Sequence, residues 1–203
     1  MLKKLYTFLF VSLFCFFSHG TFCEVYVKQA EQKYGIPEYL LTAMSWSESG
    51  KYIANVGMVA WPWTINVNGK GYIFNSKEKA IAAVKHFQRK GMKSIDVGCM
   101  QINLKHHPEA FKNLHDAFDP QKNVDYAAKF VKRLKESNDS WTRAVGNYHS
   151  TTPDLHRIYQ QKVLANWEKA KGIKQDTVSV QPTVLAVHKQ LEEHFSHKID
   201  DQH

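Results

Sequence analysis

Several common chemistries have no foothold in this sequence. No glycine-rich loop of the kind that cradles phosphates is present, which removes the usual sign of nucleotide chemistry. Eleven histidines occur, yet no closely spaced cysteine pair and no His-Glu helix motif accompanies them. His106 and His107 are adjacent and diverge as loop or strand neighbours, and His188, His194, His197 and His203 are irregularly spaced. All of these read as surface histidines, and neither a metal nor a cofactor is expected. Cysteine is scarce, with three in the chain, and a lone Cys99 without a local signature is a weak nucleophile candidate. No internal repeat is visible. The apolar run Leu5 to Phe17 is too short to span a bilayer comfortably.

What is present argues for a globular protein. Hydrophobic residues make up 43% and aromatics 13% of 203 residues, enough for one domain plus terminal extensions. Residues 1–20 have the layout of a secretory signal: basic Lys3 and Lys4, the apolar run, then small residues at Ser18 and Gly20. An uncleaved anchor is the alternative, and cleavage after Cys23 competes with cleavage after Gly20. Loss of Lys3 and Lys4 lowers the net charge from +8 to +6. In an exported protein, a basic balance of that size points to anionic cell-envelope polymers or membrane surfaces rather than nucleic acid. If cleavage follows Gly20, Cys23 and Cys99 remain as a single pair for a disulfide in an oxidising compartment. The other reading leaves Cys99 as a buried free thiol.

The periodicity is mostly helical. Helices are expected over Glu24–Tyr34, Leu40–Gly50, from Ser76 to Gly91, over Pro108–Leu114, from the Asp119-Pro120 cap through Leu134, from Ser140 to Tyr148, and from Thr152-Pro153 to Gly172. The last is expected to bury Leu155, Ile158, Tyr159 and Trp167. Alternation of Trp63, Ile65 and Val67 before Asn68-Gly69 predicts a β-hairpin between roughly residues 60 and 75. Residues 173–203 change character: a linker around Pro182, then one amphipathic helix from Val184 to Phe195. The expected fold class is mainly α, a helical domain over 24–172 with one small β-hairpin element.

The stretch Leu40 to Gly50 holds the main chemical candidate. Leu40, Met44 and Glu48 fall at i, i+4 and i+8, so Glu48 shares a buried stripe at the end of its helix. Gly50 supplies a left-handed stop. Desolvation and the negative helix C-terminus would both oppose ionisation, giving a protonated general acid. The plain alternative is a solvated carboxylate on a last turn. Trp61, Trp63, Tyr72 and Phe74 lie beside Asn66 and Asn68, which suits a sugar-binding face or equally a small hairpin core.

Three segments decide in favour of the chemical reading of Glu48, which its helix alone does not. Glu48-Ser49, Gly98-Cys99-Met100-Gln101-Ile102 and Ala144-Val145-Gly146-Asn147-Tyr148-His149 occur in the order of the E-S, G-L-M-Q and A-Y-N-A-G motifs. In this the chain resembles the soluble lytic transglycosylases, a lysozyme-like family related to goose-type lysozymes, over about residues 24–170. The resemblance implies a peptidoglycan-cleaving enzyme with Glu48 as sole catalytic acid/base. It makes Ser49 the neighbour that helps orient the carboxylate, Met100 and Gln101 the segment lining the cleft, and Tyr148 the sugar contact. Trp63 of the hairpin and His149 complete the expected substrate-binding set. Two positions depart from the pattern: Cys99 stands for Leu, and His149-Ser150-Thr151 for Asn-Ala-Gly.

The family's reaction needs one carboxylate, which protonates the glycosidic oxygen and then deprotonates the 6-hydroxyl that closes a 1,6-anhydro ring. Asn103 stands where goose-type lysozymes carry Asp, leaving Asp96 as the only nearby candidate for a second carboxylate. The expectations that follow are a periplasmic monomer acting on glycan strands without nucleic acid. Its tail would recruit an envelope-spanning appendage or secretion complex.

Overall fold

The computed structural model describes residues 23–176, with side chains through residue 172. The expected signal peptide and the Val184–Phe195 helix lie outside the described residues.

Five helices build the main core. Two short ones, α1 (Cys23–Tyr34) and α2 (Leu40–Ser49), open the chain, and three more close it: α5 (Pro120–Asn138), α6 (Trp141–His149) and α7 (Pro153–Asp176). Helix α1 packs on α5, α2 on α7, and α6 against both α5 and α7. Val27, Leu40, Leu41, Met44, Val124, Ala127, Val131, Val145 and Val163 meet at the centre with no solvent exposure. In chain order, two small antiparallel sheets and two further helices come between these sets. β1 (Gly50–Ile53) pairs with β2 (Gly57–Ala60), while β3 (Thr64–Val67), β4 (Lys70–Ile73), β5 (Ile95–Val97) and β6 (Ile102–Asn103) form a sheet ordered β4-β3-β5-β6. Helix α3 (Lys77–Arg89) covers that sheet through Ala80, Ile81 and Val84, and α4 (Leu114–Ala117) closes its end. The fold is mainly α and lysozyme-like.

Local chemistry accounts for most of these boundaries. Ser76, Asp119 and Ser140 each accept a hydrogen bond from the backbone N–H three residues on, capping α3, α5 and α6. The β3–β4 hairpin turns on Asn68 (φ 52°) and Gly69 (φ 83°), and Asn66 Oδ1 accepts from Gly69 N at 2.9 Å. Two positive φ values in a two-residue loop match the twist of the strands, which is why Asn-Gly is favoured there. Cys23 and Cys99 are joined in a disulfide, with Cα atoms 5.8 Å apart, tying the start of α1 to the loop after β5.

Five expectations need correcting. Gly50 does not end α2 in the left-handed region; its φ is −63° and ψ 133°, and it leads straight into β1. Its lack of a side chain matters because a Cβ there would collide with the Trp46 carbonyl oxygen. The expected hairpin is one of three antiparallel pairs of consecutive strands among the described residues, joined by β1–β2 and β5–β6. Residues 108–113 form turns rather than a helix, because Asn113 Oδ1 caps the next segment by accepting from Asp116 N at 3.0 Å. Helix α7 passes through Gly172 to Asp176, an interior glycine costing only about 1 kcal/mol. It leaves Leu155 and Ile158 50% and 60% exposed while burying Tyr159, Val163 and Ala170, the face that meets α2.

Candidate active site

Glu48 sits one residue before the end of α2, below Leu40 and Met44 on the same face. Its carboxyl reaches the floor of a cleft of about 510 Å³ between the helical half and the sheet. The helical wall carries Phe130, Tyr148, His149, Tyr159 and Lys162; the sheet wall carries Asn66, Asp96, Gln101 and Asn103.

The neighbours of Glu48 act in opposite directions. Burial pushes its pKa up from 4.5 to about 7, helped slightly by the charge of Asp96. Tyr159 opposes this by donating to Glu48 Oε1 at 2.5 Å, and the nearby Lys162 ammonium does the same through charge. Desolvation wins, so the carboxyl keeps a proton close to neutral pH. Lys162 Nζ donates to Ser47 O at 2.6 Å and Asn166 Nδ2 to Ser47 Oγ at 2.9 Å, so α7 grips the last turn of α2 beside the carboxyl.

Gln101 stands on the facing edge. Its backbone has a φ of 46°, an unfavourable conformation for a residue with a side chain, held by Nε2 donating to Thr64 O at 3.0 Å and Gly98 O at 2.9 Å. That loop is fixed from below by Asn123 of α5. Asn123 Oδ1 accepts from Met100 N at 2.9 Å, and its Nδ2 donates to Val97 O and Ala117 O at 3.0 Å. Gly98 (φ 82°) has to be glycine on both counts, since a Cβ would also strike the Asn123 amide.

Asp96 and Asn103 lie opposite each other across β5 and β6. Asn103 Nδ2 donates to Asp96 Oδ1 at 2.7 Å, which offsets part of the burial that raises the Asp96 pKa. Tyr148 OH donates to Met100 O at 2.8 Å, bridging the helical wall to the Gln101 loop. His149 lies flat on Tyr159, ring centroids 4.7 Å apart.

A family model described as "Transglycosylase SLT domain" matches residues 25–169. The chain belongs to this family. Peptidoglycan is therefore its substrate class, and glycan cleavage of the lytic transglycosylase type its general activity. The SLT match runs from α1 through most of α7 and so contains every residue of the cleft. No curated protein and no solved structure gives a significant match.

Within this SLT cleft, the structure brings together Glu48, Gln101, Tyr148 and His149. It keeps three expected substrate contacts out. Ser49 is buried and donates from Oγ to Cys99 O at 2.7 Å, fastening α2 to the loop instead of touching Glu48. The Met100 side chain has no exposure; its backbone, not its side chain, serves the site. Trp63 packs edge-on against Trp61 with centroids 5.5 Å apart, in the hairpin core. Sequence reading missed Tyr159 and Lys162 as site residues. The signal was available in their spacing: Tyr159, Lys162 and Asn166 fall at i, i+3 and i+7, one face of α7.

Proposed function

We propose that the protein is a lytic transglycosylase that cleaves the β-1,4 bond between N-acetylmuramic acid and N-acetylglucosamine, leaving 1,6-anhydromuramyl ends, with Glu48 as acid and then base. The observation that carries the reading is a carboxyl at the cleft floor whose burial holds its pKa at about 7, poised between the two roles. Tyr159 occupies Oε1, which leaves Oε2 to carry the transferable proton. That proton passes to the glycosidic oxygen as the bond to the anomeric carbon breaks. The resulting carboxylate takes a proton from the 6-hydroxyl of the same muramyl unit as its oxygen closes the ring, so Glu48 ends as it began. Intramolecular attack needs no second reactant to be positioned. Tyr159 and Lys162 are positioning residues; Gln101, Tyr148 and His149 are the substrate contacts.

Asp96 supports a second reading, hydrolysis by a lysozyme-type pair, because it lines the same cleft. Its bond from Asn103 and its place in the sheet favour a structural role. Export to the periplasm, with residues 173–203 docking the enzyme on an envelope-spanning appendage or secretion complex, completes the proposal.

The test is substitution. Glu48→Gln abolishes cleavage of purified peptidoglycan, whereas Asp96→Asn retains it within about tenfold. Substantial activity in Glu48→Gln would overturn the assignment, and equal loss in both variants would favour the hydrolytic pair.

A further inference from the structure

His107 has no part in the chemistry above, yet its ring lines the cleft beside Phe130 and Tyr148. Its Nδ1 lies 2.9 Å from the hydroxyl of Tyr126 on α5, and that hydroxyl donates to Glu109 Oε1 at 2.9 Å. The chain of bonds has one consistent direction. Glu109 is held ionised by its own backbone N–H and by Tyr126, so it can only accept. Tyr126 has one proton and spends it on Glu109. The contact with His107 therefore requires Nδ1 to carry a hydrogen, and burial keeps the ring neutral. A neutral imidazole with Nδ1–H has a bare lone pair on Nε2. The ring is only half-buried, and Nε2 has no hydrogen-bond partner among the described residues.

The aromatic surroundings indicate what that lone pair meets. Phe130 stands edge-on to His107 with centroids 4.8 Å apart and tilts against Tyr148 at 5.5 Å. An apolar wall beside one fixed acceptor suits a pyranose ring that presents C–H groups to the wall and a hydroxyl or amide N–H to the nitrogen.

We propose that His107 is a specificity-determining residue whose Nε2 accepts a hydrogen bond from a hydroxyl or acetamido N–H of the bound glycan, its tautomer set from outside the cleft by Glu109 through Tyr126. The inference rests on the glycan-cleaving reading of the cleft and adds a contact to it. It also predicts that Glu109, an exposed carboxylate, influences binding through Tyr126 and His107. Without Glu109, the Tyr126 proton is free to turn to His107 Nδ1, which moves the ring hydrogen to Nε2 and converts the acceptor into a donor.

The experiment uses the Glu48→Gln protein, so that glycan stays intact, and a tetrasaccharide of alternating N-acetylglucosamine and N-acetylmuramic acid as probe. Titration calorimetry is expected to give about three- to tenfold weaker binding for both His107→Phe and Glu109→Ala. His107→Gln, whose amide can present an acceptor near the Nε2 position, stays within about twofold. Nitrogen-15 NMR of the imidazole in the unliganded protein reports Nδ1–H in the parent and a shift towards Nε2–H in Glu109→Ala, a change that a purely structural role would not produce. In the active enzyme, His107→Phe raises KM with kcat little changed. Unaltered binding in both His107→Phe and Glu109→Ala, or an Nε2–H tautomer in the parent, overturns the inference. Cleavage by Glu48→Gln would instead defeat the proposed function, and the tautomer measurement would still decide this inference.

Discussion

Glu48 is set between a desolvating pocket and two groups that favour its charged form, so small changes around it move its working pH in a predictable direction. Tyr159 donates to the carboxylate and lowers its pKa. Tyr159→Phe removes that bond, and with Glu48 as the proposed acid the alkaline limb of the pH–rate profile moves to higher pH. The loss of orientation lowers kcat by about tenfold. The same burial has a stability consequence. Because the folded pKa is about 7 against 4.5 for the free side chain, the native state binds the proton more tightly than the unfolded chain does. The penalty is absent below about pH 4.5, grows as pH rises towards 7 and persists above it. Glu48→Gln is therefore stabilised relative to the parent at pH 8, by up to about 3 kcal/mol in urea unfolding, and hardly at all at pH 4. Glu48 stood out in the sequence through the motif it shares with two later segments, since its helix stripe alone also allowed a solvated carboxylate. Tyr159 was legible only as an apolar position, because the oxygen it serves is 111 residues away. No local pattern distinguishes a tyrosine that fills a core from one whose hydroxyl meets a carboxylate.

At the scale of elements, the helix that contributes no cleft chemistry from its buried face still shapes the cleft. Asn123, on the first turns of α5, holds three backbone groups of the β5 loop and the end of α4. Asn123→Ala leaves Met100 N, Val97 O and Ala117 O buried without that partner, a loss of roughly 3 kcal/mol or more in denaturant unfolding. The Gln101 loop should loosen with it, so activity falls even at temperatures where the variant is folded. The helices were readable because caps and apolar stripes are local: Asp119-Pro120 marks α5 and Ser140 marks α6. The β3–β4 hairpin was readable from Asn68-Gly69 for the same reason. β5 and β6 were not, at three and two residues, because they exist through pairing with β3 and with each other rather than through their own alternation. Leu155 and Ile158 misled for a related reason. Their spacing fits a buried stripe, but the face of α7 that is buried is chosen by the position of α2.

Residues 23–176 form a helical body and a four-stranded sheet that meet along one cleft, with a covalent tie between the first helix and the loop after β5. The Cys23–Cys99 bond closes a loop with a sequence separation of 76 residues and joins the first helix to the loop that carries Gln101. A loop of that length corresponds to about 4 kcal/mol from the restriction of the unfolded chain. Cys99→Ser is expected to lose stability of that order, and reductant should lower the midpoint of the parent but not of the variant in thermal unfolding. Composition pointed to a globular, basic protein, and the three motifs pointed to the family. How Asp96 and Asn103 would meet across two strands could not be read from either, and that pairing bears on which bond-breaking route the cleft follows. The products record the route. Mass spectrometry of muropeptides released from purified peptidoglycan by the intact enzyme should find chiefly 1,6-anhydromuramyl ends, with none released by Glu48→Gln. Reducing muramic acid ends as the main product, lost on Asp96→Asn, would contradict the account.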